Sequence, residues 1–343
     1  MITNILVTGC TGTVGSALLK LLSGNKSYQV TAFDLKNKRS IQSLKKFKEK
    51  INIVYGDICD KEAVYSVCKD KEVIIHLAAL IPPKADLYPD LAYNINVQGT
   101  QNIIDAILQH GERSFLLYSS SVSVYGDRLK TPFIKVTDLL CPSEGDHYGA
   151  TKVEAERRIQ SQLMNWSIFR LTAIMGIENH KMGEIMFHMP LNTPMEIASP
   201  EDTAIAFAKA IEKREDLNQQ IFNLSGGKDC RITYLEFLQR SFQAFGLGSV
   251  DFPNKAFAEK NFHCGYYDDG DLLEHILHFR NDTIETHFLK LKNSISPIQR
   301  NLTSLFRKQI KRKLLSLSEP YRGFLNDDKS IISHFFEKNE LIK

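Results

Sequence analysis

The chain has 343 residues, enough for one large domain or for two smaller ones that share a core. Hydrophobic residues make up 43% of it and charged residues 24%, as in an ordinary globular protein, and the formal net charge is only +3. This balance gives no chain-wide reason to expect a nucleic acid or an acidic membrane as a partner.

The cysteine pattern and the N-terminus bear on location in the cell. The 6 cysteines contain no Cys-x-x-Cys pair and no zinc-ligand spacing, which favours reduced thiols. Residues 1–9 are apolar but lack a basic leader and run into a glycine turn, so they predict a buried strand rather than a signal peptide. No stretch reaches the roughly 20 apolar residues that span a bilayer. We therefore expect a cytoplasmic protein.

Short apolar runs alternate with helix-length segments over the first 170 residues. The runs are nearly continuous in apolar character, as strands buried on both faces must be. They cover residues 2–8, 29–34, 51–55, 73–77, 114–119 and 166–171. Helical patterns lie between them, for example at 14–23 and 93–110. This alternation predicts an α/β fold with a Rossmann-type, doubly wound parallel sheet.

A glycine-rich turn follows the first run, with Gly9, Gly12 and Gly15 in the spacing G-x-x-G-x-x-G. The first glycine permits a tight turn, the second lets the backbone approach a pyrophosphate, and the third lets the helix pack on the strand. The free N–H groups at the start of the helix then attract the phosphates. The predicted dinucleotide contacts in this turn are Gly9, Thr11, Gly12, Thr13, Val14 and Gly15.

Asp34 ends the second run, where a carboxylate can accept hydrogen bonds from the adenosine ribose and repel a 2′-phosphate. It therefore favours NAD over NADP. The basic residues that follow, Lys36, Lys38 and Arg39, leave NADP as the alternative, since they could accommodate a phosphate.

Tyr148 and Lys152 are four residues apart, so they share one face of a predicted helix. A nearby ammonium favours the phenolate and would lower the pKa of Tyr148, which could then exchange a proton with a substrate hydroxyl or carbonyl. The preceding strand ends in the serine run 119–121, at the sheet edge where parallel sheets bind ligands.

Together these motifs resemble the extended short-chain dehydrogenase/reductase family, in particular its NAD-dependent epimerase/dehydratase branch. The resemblance is strong over about residues 2–176 and looser over 199–240. It rests on the glycine turn, Asp34, Gly56-Asp57-Ile58, His76-Leu77-Ala78-Ala79, Asn96-Val97-Gln98-Gly99-Thr100, the serine run, Tyr148 and Lys152.

The resemblance implies roles for the matching residues. Ser121 would orient the reacting oxygen, Tyr148 would act as acid and base, and Lys152 would adjust the tyrosine and bind the nicotinamide ribose. The other implied cofactor residues are Asp57 and Ile58 at the adenine, Leu77, Ala78 and Ala79 along the cleft, and Asn96 at the active-site backbone. His76 is expected to be structural.

Three departures from the family pattern restrict the chemistry. Val122 and Ser123 stand where 4,6-dehydratases carry Asp-Glu, and the glutamate of sugar-acid decarboxylases is missing there too, so dehydratase chemistry is disfavoured. Ala173 stands where nucleotide-sugar epimerases carry the asparagine of R-x-x-N. Only about 25 residues separate Gly176 from the helix at Asp202, which argues against a nucleotide-clamping insertion.

We therefore expect an NAD-dependent oxidoreductase or epimerase that transfers hydride between nicotinamide and a hydroxyl-bearing carbon of a small, sugar-like substrate. The alternative is an NAD(P)H-dependent carbonyl reductase or alcohol dehydrogenase with a non-nucleotide substrate. A dinucleotide-binding regulatory or scaffold protein is less favoured, because the serine, tyrosine and lysine are all present. The family resemblance also implies a homodimer.

The pattern divides the chain into a dinucleotide-binding region at 1–176, a smaller mixed substrate region at 177–285 and a basic helical extension at 286–343. Some elements of the second region are expected to return to the Rossmann core. The aromatic and polar segment 261–271 could be a loop beside the substrate cleft or plain packing. No metal is predicted, because no known ligand spacing fits His263, Asp268, His275 and His278, of which the last two are predicted on a helix.

Residues 290–313 hold eight basic residues and no acidic one, with apolar residues at helical spacing. Such a helix could contact an acidic membrane surface, although a helix packed on the body with a solvated basic face is the favoured interpretation. Pro320 and Gly323 predict a break before a final short helix.

Overall fold

The structure is a computed structural model that describes residues 2–110, 113–177 and 182–337. Its strands are β1 Thr3–Thr8, β2 Tyr28–Asp34, β3 Asn52–Tyr55, β4 Val73–His76, β5 Phe115–Ser121, β6 Phe133–Ile134, β7 Asn165–Leu171, β8 Ala173–Ile174, β9 Pro194–Ala198, β10 Gln220–Leu224, β11 Arg231–Thr233 and β12 Tyr266–Tyr267. The central sheet has the order β10-β7-β5-β4-β1-β2-β3, and all its neighbouring strands are parallel.

Helices surround this sheet. They are α1 Thr13–Leu22, α2 Lys38–Leu44, α3 Lys61–Cys68, α4 Lys84–Leu87, α5 Pro89–Tyr93, α6 Gly99–Gln109, α7 His147–Gln160, α8 Pro200–Ala210, α9 Arg214–Leu217, α10 Tyr234–Phe245, α11 Asp271–Leu277, α12 Ile284–Ser294, α13 Pro297–Leu305, α14 Arg307–Leu315, α15 Glu319–Leu325 and α16 Lys329–Phe335. None of these helices is long and apolar enough to cross a membrane.

Alternate residues of each central strand pack into different layers. On β1, Ile5 and Val7 belong to one apolar cluster while Leu6, between them, belongs to the other. Neighbouring β4 repeats this arrangement, with Ile75 in the first cluster and Ile74 in the second. Because both faces are buried, the runs are apolar throughout, and the predicted doubly wound Rossmann sheet is confirmed.

The segment after β7 builds a smaller mixed sheet in the order β11-β9-β8, in which β11 is antiparallel to β9 and β8 is parallel to it. Helix α10 packs beside this sheet in a third apolar cluster. Strand β10 returns to the edge of the central sheet, and α8 packs against α1. The three regions proposed from the sequence remain a prediction.

The predicted helix over 93–110 is interrupted. Helix α5 ends at Tyr93, a wider π-helical turn covers Asn94–Gln98, and α6 begins at Gly99. His278 is likewise not part of its predicted helix: α11 ends at Leu277, and His278 caps it in the left-handed conformation with φ of 47°.

The C-terminal segment also differs from the expectation. The single basic helix is divided into α12, α13 and α14. Pro297 begins α13, and a second division separates Leu305 from Arg307, where α14 begins. The predicted break and final short helix are present, but Pro320 and Gly323 lie inside α15, between the breaks after Leu315 and after Leu325. Pro320 sits in the first turn, where a missing N–H costs nothing, and Gly323 leaves room for Ile331 of α16.

Candidate active site

A cleft of about 760 Å³ opens at the carboxyl ends of the central strands, where the strand order reverses between β1 and β4. This is the position at which open α/β sheets bind ligands. We call it the main cleft. The sequence-predicted residues that line it are Gly9, Thr11, Gly12, Thr13, Val14, Gly15, Asp34, Asp57, Ile58, Leu77, Ala78, Ala79, Ser121, Tyr148 and Lys152. Of the predicted set, Asn96 alone is not on its wall.

The glycine turn brings the backbone close to the β4 loop. Gly9 has φ of 64°, and a Cβ there would lie 2.5 Å from the backbone nitrogen of Ala78. A Cβ on Gly15 would lie 2.5 Å from the carbonyl oxygen of Gly9. Helix α1 begins at Thr13, Gly12 before it supplies no side-chain cap, and the start of the helix lines the main cleft. These features fit the pyrophosphate of a dinucleotide.

Asp34 is held at the edge of the main cleft by the turn it faces. Its Oδ2 accepts hydrogen bonds from the backbone nitrogen and the hydroxyl of Thr11, both at 2.8 Å. Its Oδ1 accepts one from the backbone nitrogen of Leu35, also at 2.8 Å. Arg39 lines the same cleft. A carboxylate fixed here suits ribose hydroxyls, and Arg39 is the nearby cation that a 2′-phosphate would need.

Two buried polar residues frame the cleft from behind. The His76 ring bridges the hydroxyls of Thr8, at 2.7 Å, and Thr100, at 3.0 Å, and burial lowers the pKa of His76 to about 3. It is therefore a neutral structural bridge, as expected. Asn96 accepts a hydrogen bond from the backbone nitrogen of Leu80 at 2.7 Å and donates to the Thr151 hydroxyl at 3.0 Å. It thus ties the β4 loop to α7.

The candidate catalytic residues meet where β5 and α7 face each other. Asp146 caps α7 by accepting a hydrogen bond from Gly149 at 2.6 Å, which places Tyr148 and Lys152 on the face toward the cleft. The hydroxyl of Ser121, at the end of β5, hydrogen-bonds to that of Tyr148. Nζ of Lys152 lies 5.7 Å from the centre of the Tyr148 ring. The sequence spacing has brought all three together.

The acidity of Tyr148 differs from the expectation. Burial raises its pKa above the ordinary value of 10, while the hydrogen bond with Ser121 opposes that rise and Asp146 adds to it. Lys152, expected to lower the pKa, instead points its ammonium to the carbonyl oxygen of Ser119 at 2.7 Å. In the protein alone, Tyr148 therefore carries its proton at neutral pH.

Lys152 itself is 2% exposed. Burial lowers its pKa to about 7, and the charge of Glu156 partly offsets this effect. The ammonium also lies 4.6 Å from the centre of the Tyr118 ring, a cation–π distance. Lys152 can therefore change its charge near neutral pH.

A buried charged network behind the site was not anticipated from the sequence. Arg170, on β7, donates hydrogen bonds to both carboxylate oxygens of Glu156, and the Ser120 hydroxyl donates to the same group at 2.5 Å. Arg170 also donates to the Tyr125 hydroxyl at 2.7 Å, which in turn donates to Asn223. The signal was an arginine near the end of a buried strand, together with a glutamate one turn beyond Lys152.

A second cavity of about 280 Å³ adjoins the main cleft; Ser121, Thr172 and Ile185 line both. We call it the apolar cavity. Its wall is rich in methionine and aromatic side chains: Met175, Met182, Met186, Met189, Met195, Tyr234, Phe237, Phe245 and Phe262. No Lys, Arg, Asp or Glu lines it among the residues that the structure describes. Val122 and Ala173, which both depart from the family pattern, lie on this wall.

The segment 261–271 contributes Phe262, His263 and Cys264 to the same wall, in agreement with its interpretation as a loop beside the substrate cleft. Over residues 2–110, 113–177 and 182–337, no group of three or more His, Cys, Asp and Glu side chains is arranged to hold a metal ion.

Comparison with known proteins finds a family model and relatives that each match about half of the chain. Residues 6–169 match the model of the 3-beta hydroxysteroid dehydrogenase/isomerase family. The 3 beta-hydroxysteroid dehydrogenase type 7 of Rattus norvegicus is 31% identical over 160 residues, which cover 45% of this chain and 47% of that protein. The UDP-glucose 4-epimerase 3 of Oryza sativa subsp. japonica is 28% identical over 197 residues, 53% of this chain and 51% of that protein. The chain thus spans about half the length of the curated relatives it matches.

Solved structures share the fold over most of the chain. The UDP-glucuronic acid 4-epimerase of Bacillus cereus, in complex with UDP-glucuronic acid and NAD, aligns with a TM-score of 0.71 at 17% identity, covering 85% of this chain and 98% of that one. The dTDP-glucose 4,6-dehydratase of Bacillus anthracis, in complex with NAD, aligns with a TM-score of 0.71 at 18% identity, covering 85% and 96%. With its glycine turn, its Ser-Tyr-Lys set and these relatives, the chain is similar to the extended short-chain dehydrogenase/reductase family over its N-terminal half.

Proposed function

We propose that this protein is an NAD-dependent oxidoreductase that moves hydride between nicotinamide and the hydroxyl-bearing carbon of a compact, apolar alcohol or ketone. The observation that carries the proposal is the position of Ser121. It lines both the main cleft and the apolar cavity and is hydrogen-bonded to Tyr148. A substrate oxygen at this junction would meet both hydroxyls while its carbon faces the main cleft.

NAD is the proposed cofactor. The glycine turn and the start of α1 would hold its pyrophosphate, Asp34 its adenosine ribose, and Asp57 and Ile58 its adenine. Structural neighbours in complex with NAD support this choice. When bound, nicotinamide accepts or supplies the hydride.

The chain's own residues would handle the proton and orient the substrate. Ser121 would hold the reacting oxygen, and Tyr148 would take a proton from an alcohol or give one to a ketone. Lys152, while protonated, favours the phenolate by its charge and would bind the nicotinamide ribose. Its hydrogen bond to the carbonyl oxygen of Ser119 holds the ammonium 5.7 Å from the centre of the Tyr148 ring.

The wall of the apolar cavity supports the choice of substrate. The steroid dehydrogenases among the relatives act on hydroxysteroids, which are fused-ring alcohols, and a flexible methionine-rich wall suits such apolar rings. A nucleotide sugar would bring a diphosphate to a wall without Lys or Arg among the described residues. Ala173 also gives that wall a methyl group in place of an amide.

Epimerisation of a sugar-like substrate is the second candidate, favoured by relatives and neighbours that are UDP-sugar 4-epimerases. It would use the same three residues for oxidation and re-reduction without net turnover of NAD. The two candidates differ in whether NAD(H) exchanges freely.

A homodimer in the cytoplasm, and a contact between the basic helices and an acidic membrane surface, are further parts of the proposal. The exposed apolar residues of α13 support a contact of some kind: Ile298 is 73% exposed, Leu302 54% and Leu305 72%. None of the α13 residues is buried.

The test begins with the purified full chain, which is denatured so that any released dinucleotide can be identified by mass spectrometry. The chain is then supplied with NAD and cyclic secondary alcohols while NADH formation is followed. We expect reversible NAD binding and turnover that Tyr148→Phe lowers by about 10²- to 10⁴-fold without loss of NAD affinity. NAD that is tightly held and does not exchange would favour the epimerase. Unchanged turnover in Tyr148→Phe would reject the catalytic assignment.

A further inference from the structure

We propose that His263 is a specificity-determining residue, which selects substrates carrying a second hydroxyl by accepting a hydrogen bond from that hydroxyl at Nε2. This inference rests on the proposed function and deepens it, because it names the polar group that an otherwise apolar substrate should carry. The segment that holds His263 has no part in the catalytic set described above.

The position of His263 is set by the catalytic helix. Its Nδ1 lies 2.9 Å from Oδ2 of Asp146, the residue that caps α7 immediately before Tyr148. The ring stacks on Phe262, with centroids 4.8 Å apart and an interplanar angle of 17°. The imidazole is therefore held on the wall of the apolar cavity, which Ser121 also lines.

Apart from Ser121, the hydroxyl groups on that wall are already engaged. The hydroxyl of Tyr234 donates to the carbonyl oxygen of Met186 at 2.8 Å, and that of Ser241 to Phe237 at 2.7 Å. The Thr172 hydroxyl donates to the carbonyl oxygen of Glu196.

Ser121 on the same wall is assigned to the reacting oxygen, and His287 has a partner of its own. Within the described part of the chain, no hydrogen bond to protein is made by Nε2 of His263. The imidazole is thus the polar group on the wall that can form a hydrogen bond with a second polar group on the substrate.

The carboxylate beside Nδ1 decides which kind of group that is. The side chain of Asp146 is 8% exposed, and its Oδ2 receives no aligned hydrogen bond from the described residues, so its charge acts on the ring chiefly through proximity. In the neutral imidazole, a negative charge next to Nδ1 favours the tautomer with its proton on that nitrogen and leaves Nε2 with its lone pair. Nε2 is then an acceptor, for which a hydroxyl is the matching donor.

A carboxylate on the substrate would be a poor match. Asp86, whose carboxylate accepts a hydrogen bond from the backbone nitrogen of Tyr148 at 3.3 Å, adds a second acid that interacts electrostatically with both Asp146 and His263. An anionic group brought to Nε2 would meet these two carboxyl groups. The site therefore favours a neutral diol over a hydroxy acid of the same size.

The experiment compares two variants that remove different nitrogens of the ring. His263→Asn keeps a polar group near Nδ1 and loses the one at Nε2, whereas His263→Gln can place an amide oxygen near Nε2. The probes are trans-2-decalol, a series of decalindiols with the second hydroxyl on the other ring, and the matching carboxylic acids. Dissociation constants are measured by calorimetry on the full chain saturated with NADH, with which an alcohol does not react.

We expect the wild type to bind the best diol about three- to tenfold more tightly than decalol, the effect of one neutral hydrogen bond, and to bind the acids no better than decalol. His263→Asn should remove the advantage of the diol without changing the affinity for decalol, and His263→Gln should restore part of it. A diol advantage that persists in His263→Asn, or equal binding of decalol and every diol by the wild type, would overturn the role of His263 and leave the proposed function intact. If the wild type bound NADH but neither decalol nor any diol, both the apolar substrate and this inference would be wrong.

Discussion

The main cleft and the apolar cavity meet at Ser121, yet different parts of the chain determine them. In the main cleft, the backbone largely sets where the lining residues lie. Gly9 approaches Ala78 too closely for a side chain, and Asp34 is fixed to Thr11 by two hydrogen bonds. In the apolar cavity, position depends on packed side chains from β8, β9, α10 and the segment around His263. Side chains of the apolar cavity can be exchanged without moving the backbone of the main cleft. The main cleft therefore indicates the chemistry, and the apolar cavity indicates the substrate.

The largest effect is expected from a substitution in the buried charged network behind the main cleft. Glu156 and Arg170 are almost fully buried, at 0% and 3% side-chain exposure, and their closest atoms are 2.7 Å apart. Glu156→Gln leaves the guanidinium without its counter-charge and should lower the free energy of unfolding by about 3–5 kcal/mol. Chemical denaturation monitored by circular dichroism measures the change.

The matched control is Glu285→Gln, which removes the exposed partner of Arg240 and should leave the free energy of unfolding almost unchanged. Equal effects of the two substitutions would mean that the buried pair does not organise the site.

Lys152 should give the main cleft a pH-dependent contribution to the free energy of unfolding. The apolar cavity has no lysine on its described wall that could do the same. Burial lowers the pKa of Lys152 from its usual 10.5 to about 7. Between these values the folded protein binds one proton fewer than the unfolded chain. The free energy of unfolding of the wild type, relative to Lys152→Met, should therefore rise by about 1.4 kcal/mol per pH unit above pH 7.

This contribution is lost as the pH falls through about 7, where both states are protonated. Urea denaturation at several pH values measures it. Lys213→Met, at a side chain that is 53% exposed, should show no such slope relative to the wild type. A flat difference for Lys152→Met would mean that the amine keeps its ordinary pKa inside the protein.

Asp34 tests whether the main cleft alone sets the choice of cofactor. Asp34→Asn removes the charge that repels a 2′-phosphate, while Arg39 stays on the cleft wall. We expect the preference for NAD over NADP to fall by about tenfold, or about 1.4 kcal/mol, in dissociation constants measured by fluorescence titration. Asp70→Asn, at an exposed position, is the control. An unchanged preference would assign the discrimination to another residue of the cleft.

The sequence predicted the main cleft well because its geometry depends on local signals. A glycine is required where φ is 64°, and Tyr148 and Lys152 share a face whenever the segment is helical. The apolar cavity had no such signal, since Met175 and Phe245 look like ordinary core residues until the fold brings them together. The pKa of Tyr148 was mispredicted for the same reason: helical spacing gives the distance to Lys152, whereas burial depends on the whole tertiary environment.

The smallest change in the free energy of unfolding is expected for a substitution on the exposed helix α13. This helix lies outside the packed region around the apolar cavity. Leu302 is 54% exposed on α13, whereas Leu291, on α12, is 4% exposed and lines the cavity. Leu291→Ala should lower the free energy of unfolding by about 2–5 kcal/mol, because it leaves a void in a packed wall. Leu302→Ala should change it by less than about 0.5 kcal/mol if that side chain meets only solvent. Denaturation of both variants at two protein concentrations separates a solvated face from a covered one: a larger loss for Leu302→Ala that grows with concentration would mean that a second copy of the chain packs on α13.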